Sequence, residues 1–357
     1  MARRRRRCLK VFIIVFVGLI STYILLPPQK IENKAPTFSR EQMLHCSKLG
    51  DQIVAMKSLT RIHNLTEFFL EVKELMSCPW TSNLTQQLMD LHTKCNASGM
   101  LFVTRENTLL GQRLTYEAQR KSTKLVDKKL YSMLPKAAPW GTSRELGHCA
   151  VVGNGGILKN SSCGAKIDTA DFVIRLNLAP VDYISDVGAK SSLVTVNPSQ
   201  VTESFNGLCN ERQPFVDKAA AHGNAYLAIS PFSYVVSTDL SFRIFYTMKE
   251  MRPQQGVHYI HPDYLLMLDR YWRKGGEMGS RLSSGFMLMS VALELCAKVD
   301  LYGFWPFDKD LSQRPVSHHY YDNVPAKQGV HAMPMEFLKL MSLHRQGVLQ
   351  LHVGECQ

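Results

Sequence analysis

Three histidines near the C-terminus, His318, His319 and His331, are the side chains best suited to moving a proton near neutral pH, and Glu336 follows five residues after His331. A zinc site built from the three is disfavoured: adjacent histidines point in different directions, and the spacing matches no common zinc pattern. Pro334 suits the first turn of a following helix, so Glu336 serves either to orient His331 or to favour that helix N-terminus electrostatically. Upstream, Ser283-Ser284-Gly285 precede the apolar helical run Phe286 to Cys296. Two hydroxyls and a glycine at a helix start can present donors to an anion, or can simply cap the helix.

The elements that must position these groups begin at Cys149. Cys149 to Val152 reads as a buried parallel strand, Gly153, Gly155 and Gly156 allow a sharp turn, and a helix is expected from Ile157 onward. A dinucleotide fingerprint is excluded. Counted from Gly153, the third small position falls on Leu158, and the second strand, Phe172 to Leu176, ends in Asn177 where a NAD site carries an acid. Asn154 and Asn177 are instead neutral amides at the carboxyl ends of neighbouring strands, which favours a nucleotide sugar. Further strands are expected at Leu193 to Val196, which ends in Asn197, and at Ala225 to Ile229, Val257 to Ile260 and Val299 to Tyr302. Gly303-Phe-Trp305-Pro-Phe307 follows the last of these and reads locally as core aromatics.

These stretches carry a resemblance. CAVVGNGGIL with DFVIRLN and DVGAKSSLVTVNPS looks like the large sialyl motif, and RLSSGFMLMSVALELC with VDLYGFWPF like the small one; His318 to Asp322 and His331 to Glu336 look like the two short ones. All four occur in the family's order, so from Cys149 onward the chain resembles an animal α2,8-sialyltransferase, closer in wording to the mono- and oligo-acting branch. The resemblance implies a single Rossmann-like α/β/α glycosyltransferase domain, a GT-A-like variant. It also implies inverting single displacement from CMP-sialic acid, without cofactor or metal, onto the 8-hydroxyl of a terminal sialic acid of gangliosides, sialylated O-glycans or glycoproteins. His331 would be the general base and His319 a donor to the phosphate. Asn154, Asn177, Asn197, Ser283, Ser284, Gly285, Trp305 and His319 would bind the donor. Ser284 replaces the family's usual threonine, and Leu176 and Ala179 stand where the family commonly has cysteine and proline.

Two alternatives within the family are a non-catalytic member that binds sialoglycans or assists a partner enzyme, and a polysialyltransferase. The second would want a strongly basic stretch; Arg113 to Lys136 holds only seven Lys or Arg against Glu117 and Asp127, the balance of a solvated helix face. Outside the family, a Rossmann-like oxidoreductase is disfavoured by Leu158 and Asn177.

The remaining organisation follows from composition. The chain has 357 residues, 45% of them hydrophobic and 20% charged, a globular balance. Residues 1–10, with Arg3 to Arg7 and Lys10, read as a cytoplasmic tail, and the uncharged run 11–26 as a signal-anchor of about 24 Å as a helix. Residues 27–100 read as a luminal stem and 101–357 as the luminal catalytic domain of a single-pass type II Golgi membrane protein. Six of the +12 formal charges lie in the tail, and the remaining +6 suits anionic substrates; no nucleic-acid module is present, and a homodimer is allowed. Sequons at Asn64, Asn83, Asn96 and Asn160, with nine cysteines, point to an oxidising, glycosylating compartment. The resemblance implies disulfides Cys149 with Cys296 and Cys163 with Cys356. The expectation adds Cys78 with Cys95, leaving Cys46 and Cys209 free, paired together or intermolecular.

Overall fold

The computed structural model describes residues 38–56, 65–83, 86–140, 146–273, 281–324 and 331–356. The expected tail, the anchor at 11–26 and the sequon at Asn64 lie outside these residues, and no described helix is long and apolar enough to cross a membrane. The chain forms two compact units, residues 1–43 and 44–357. Of the first, the described part is a helix start: Ser39 N–H donates to Gln42 Oε1 and Gln42 N–H to Ser39 Oγ, a reciprocal capping box.

From that cap α1 runs over Arg40–Ala55, and its part in the second unit buries Leu49 and Ile53. It is followed by α2 (Leu65–Ser77), α3 (Gln86–Cys95) and α4 (Ala97–Met100). Phe68, Phe69, Val72 and Leu75 recur at helical spacing and form the buried face of α2. This segment falls within the expected stem, residues 27–100. Its apolar face shares one core cluster with Trp305 and Phe337, because a helix with four large buried apolar side chains gains more from packing on the domain than from solvent. Cys78, just after α2, bonds to Cys46 in α1, and not to Cys95 as expected; Cys95 is a buried free thiol whose pKa burial pushes up to about 12. The pairing follows from packing: His45 of α1 meets Glu74 of α2 (2.7 Å) next to this bond, while Cys95 is buried in the core at the end of α3.

A small antiparallel hairpin, β1 (Arg113–Thr115) and β2 (Thr123–Leu125), precedes α5 (Lys128–Met133), which Asp127 caps by accepting from Leu130 N–H. The main body then alternates: β3 (His148–Val152), α6 (Gly164–Asp168), β4 (Phe172–Arg175), α7 (Ile184–Val187), β5 (Leu193–Val196), α8 (Pro198–Phe205), α9 (Gln213–Ala220), β6 (Tyr226–Ile229), α10 (Ser237–Met251) and β7 (Val257–Tyr259). It closes with α11 (Pro262–Arg273), α12 (Ser284–Leu295), β8 (Lys298–Tyr302), α13 (Met333–Arg345) and β9 (Gln350–His352). The seven strands are ordered β7-β6-β5-β4-β3-β8-β9, every pair parallel. Both β1–β2 and β9 went unforeseen in the sequence: each is three residues long, too short for an alternation signal.

Side chains alternate across this sheet. Cys149 and Val151 of β3 enter one apolar cluster, with α12 and α2, while Ala150 and Val152 enter another on the opposite face. Disulfides join Cys149 to Cys296 at the end of α12, and Cys163 to Cys356 beyond β9. They span 147 and 193 residues, loops long enough for each bond to remove roughly 5 kcal/mol of unfolded-chain entropy. The strand order reverses between β3 and β8, so the crevice at their carboxyl ends is the topological switch point where open α/β sheets place ligands.

Candidate active site

At that crevice the turns after β3 and β8 close on each other. Gly153 N–H donates to Tyr302 O (2.7 Å) and Gly155 N–H to Gly303 O (3.0 Å). A Cβ on Gly153 or Gly155 would lie 2.7 or 2.6 Å from the Gly303 oxygen, and one on Gly156 would overlap the Ser317 carbonyl. The glycines are therefore required by the approach of one chain segment to another. The helix expected from Ile157 does not start there. Gly156–Leu158 is a single 3-10 turn, and Asn160 and Ser162, both at positive φ, turn the chain before α6 begins at Gly164. Asn160 is exposed in this loop, not on a helix flank.

The His318-to-Asp322 segment pairs with the same turn. Tyr320 N–H donates to Asn154 O (3.0 Å), Gly156 N–H to His318 O (3.3 Å), and Tyr320 Oη to Pro180 O (2.6 Å). His319 is thereby fixed beside the glycine turn, its ring stacked 5.1 Å from Tyr321. Its Nδ1 faces Asp322 Oδ1 at 2.7 Å and donates to it, leaving Nε2 for a ligand. Asp322 sits below the ordinary carboxylate range: burial works against this, but bonds from Val324 N–H and His319, and the charges of His319 and His318, outweigh it. His318 is lowered by burial and by its neighbour His319.

The other wall is the start of α12. Ser283 is its N-cap, accepting from Phe286 N–H (3.1 Å). Glu336, in the first turn of α13, accepts from Ser283 N–H (2.7 Å) and Ser283 Oγ (2.5 Å). Glu336 thus holds Ser283 while also sitting at a helix N-terminus, and it makes no hydrogen bond to His331. Burial raises its carboxyl pKa more than the Ser283 bonds and the nearby His331 lower it. His331 is oriented from elsewhere: its Nδ1 lies 3.0 Å from the carbonyl oxygen of Arg281. A carbonyl only accepts, so Nδ1 carries the proton and a neutral ring keeps its lone pair on Nε2.

A cavity of about 240 Å³ lies between these walls, and the predicted residues converge on it. Asn154, Asn177 and Asn197 line it from the ends of three neighbouring strands, Ser283, Ser284 and Gly285 from α12, and His319, His331 and Trp305 from the connecting segments. Asn177 is at positive φ, its N–H donating to Thr195 Oγ1 (3.0 Å). Asn154 Oδ1 is buried without a protein partner among the described residues, an orphan acceptor at the cavity wall. Trp305 is only 6% exposed: its Nε1–H donates to Lys309 O (2.7 Å) and its ring packs on Phe69, Phe307 and Phe337, so little of it is left to the cavity. A larger cavity of about 490 Å³, bordered by Lys73, Lys159 and Arg314, contains no histidine and none of the predicted catalytic or donor residues. Sequence reasoning missed the partners that orient the histidines. Asp322 was visible as the acid three residues after His319, whereas nothing local marks the Arg281 carbonyl.

Residues 102–348 match the model for glycosyltransferase family 29 (sialyltransferase). The chain belongs to glycosyltransferase family 29. Among relatives of this family-29 chain, the human alpha-2,8-sialyltransferase 8E is 41% identical over 316 residues, covering 87% of this chain and 84% of that one. Human alpha-2,8-sialyltransferase 8F is 38% identical over 317 residues, 87% and 79% of the two chains. The alpha-N-acetylneuraminide alpha-2,8-sialyltransferase of Xenopus laevis is 42% identical over 265 residues, 74% and 73%. A solved mammalian sialyltransferase in complex with Gal-beta-1-3GalNAc-ortho-nitrophenol is 24% identical with TM-score 0.48, covering 78% of this chain and 100% of that one. Family membership rests on the sequence matches, and it removes the oxidoreductase alternative.

Proposed function

We propose that this family-29 sialyltransferase transfers sialic acid from CMP-sialic acid to the 8-hydroxyl of a terminal sialic acid on a glycolipid, O-glycan or glycoprotein. The names of the relatives and the resemblance of all four motifs support the α2,8 linkage. The observation that carries the chemistry is that His319 and His331 line one cavity, each with Nδ1 engaged by a protein acceptor and Nε2 left for substrate.

In the single displacement, His331 Nε2 takes the proton of the acceptor hydroxyl as its oxygen bonds to the anomeric carbon of the donor. The bond from that carbon to the phosphate oxygen breaks, and CMP departs with the electron pair. His319, doubly protonated and held by Asp322, donates Nε2–H to the phosphate and stabilises its charge. Asn154, Asn177 and Asn197 hydrogen-bond the nucleotide in this reading, while Ser284 and the α12 N-terminus meet its anionic part; their shared cavity wall and the orphan oxygen of Asn154 support it. Ser283 is already committed to Glu336, so its part is to hold this helix start in place.

The setting is proposed with it: a type II Golgi protein anchored through residues 11–26, with the described unit in the lumen. The basic Arg3 to Arg7, the apolar run after Lys10, the exposed sequons Asn83, Asn96 and Asn160 and three disulfides support this.

The test is transfer by the full-length protein, from a eukaryotic host, of labelled CMP-sialic acid to paired acceptors ending in galactose or in α2,3-linked sialic acid. Transfer to the sialylated acceptors alone, lost in His331→Ala, is expected. Transfer to galactose would reject the linkage, and CMP binding without transfer would favour the non-catalytic alternative.

A further inference from the structure

The ring of His331 hangs on one backbone carbonyl, and a side-chain network fixes the residue that owns it. Arg281 Nε donates to Glu117 Oε1 (2.9 Å), and Arg281 Nη2 to Glu117 Oε2 (2.7 Å) and to Ser233 Oγ (3.0 Å). Ser233 Oγ in turn donates to Glu117 Oε2 (2.6 Å), closing a triangle across 164 residues of sequence. The two-pronged pairing fixes the plane of the guanidinium as well as its distance, which a lysine could not do. Glu117 is itself immobilised by the main chain: its N–H donates to Phe232 O (2.9 Å) and Ala118 N–H to Ser233 O (3.0 Å). All three side chains are shielded, with Glu117 and Arg281 9% and 22% exposed and Ser233 buried, so solvent screens the ion pair weakly.

The guanidinium does not line the cavity, so it acts through its own main chain. Two residues on, Ser283 is gripped by Glu336, and between them Leu282 is buried. The Arg281 carbonyl therefore sits between two carboxylate clamps, Glu117 on one side and Glu336 on the other. Without the Glu117 clamp this carbonyl can swing, and the imidazole can turn or adopt the tautomer with hydrogen on Nε2, which cannot accept the acceptor's proton.

We propose that Glu117, Arg281 and Ser233 are positioning residues for transfer: together they hold the Arg281 carbonyl on the Nδ1 proton of His331 and keep Nε2 free as the base. This rests on the proposed role of His331. Glu117 precedes all four motif-like stretches, so the base of the C-terminal motif is set by a residue next to the small N-terminal hairpin.

The test reads the imidazole itself as well as turnover. In full-length protein labelled with nitrogen-15 histidine, the His331 signal is assigned by its loss in His331→Ala, and tautomer and steady-state kinetics are compared across variants. Wild type is expected to show the Nδ1–H tautomer. Glu117→Gln should show a mixture, with kcat reduced about tenfold while CMP affinity and acceptor KM stay within about twofold. Arg281→Lys should be intermediate, because it keeps the charge and loses the fork, and Ser233→Ala should lower kcat about threefold. An unchanged tautomer and kcat in folded Glu117→Gln would overturn the proposal. If that variant does not fold, unchanged values in both Arg281→Lys and Ser233→Ala overturn it. Absence of transfer in wild type would count against the enzymatic reading alone, and the tautomer would then decide the clamp.

Discussion

The two ends of the cavity treat their histidines differently. His319 meets a carboxylate, Asp322, only three residues away and within the same turn-bound segment. His331 meets a neutral carbonyl, that of Arg281, fifty residues away and supported from still further off. A carboxylate holds the doubly protonated ring that leaving-group stabilisation needs, whereas a carbonyl fixes one tautomer without adding charge, as a base requires. In the proposed function, two copies of one side chain therefore serve opposite proton roles through what stands behind Nδ1.

The largest effect that can break this comparison is His331→Ala. Loss of the base should cut kcat by about 100-fold or more with CMP affinity retained, and a loss under about tenfold in folded protein would reject the assignment. His319→Ala should separate from it by weakening CMP binding as well as kcat, measured by nucleotide titration beside turnover; equal effects of both substitutions on CMP affinity would erase the distinction. Smaller is Asp322→Asn. It should lower kcat about tenfold, since a neutral amide cannot stabilise the charged ring, while the His331 tautomer stays as in wild type. Glu336→Gln keeps one acceptor for Ser283 and loses the second, and a loss of roughly 1–2 kcal/mol in denaturant unfolding is expected, with a raised donor KM.

The smallest effect tests the far end of α12, which carries Ser283 to Gly285 at its start. Its Glu294 is buried, accepts from Ala97 N–H (2.7 Å) and Tyr264 Oη (2.8 Å), and lies 3.7 Å from His92. Burial raises its pKa to about 7, against these hydrogen bonds. The folded state then binds more protons than the unfolded one between the ordinary carboxyl pKa and about 7, so this group's contribution to stability declines as pH rises through that window. Glu294→Gln should flatten the decline in thermal unfolding, with activity at neutral pH changed less than twofold. A slope identical to wild type would show that the carboxyl is not the group responsible.

The legibility of the molecule divides along the same line as its histidines. Strands β3 to β8 were readable because each is a short apolar run ending in a turn signal, and the cavity residues were readable because they sit at those ends or at the α12 N-cap. The segment from Leu44 to Met100 was not. Its helical spacing was evident, but an apolar stripe does not name its partner, and the ring of Phe69 on that of Trp305 at 5.3 Å is a contact between residues 236 positions apart. The same gap misassigned Cys78, since a disulfide follows Cα proximity and not order along the chain.

What the sequence by itself determined is the set of chemical groups and the turns that present them: amides at strand ends, a capped helix start, two histidines in local motifs, and the family these compose. Tertiary structure decided which acceptor stands behind each histidine, that Gly153, Gly155 and Gly156 give clearance to Gly303 and Ser317, and that Glu336 grips Ser283. The physical reason is range. Turn and capping preferences act over a few residues, while the hydrogen bonds that fix a proton's position depend on ångström-scale approach between segments that only packing brings together.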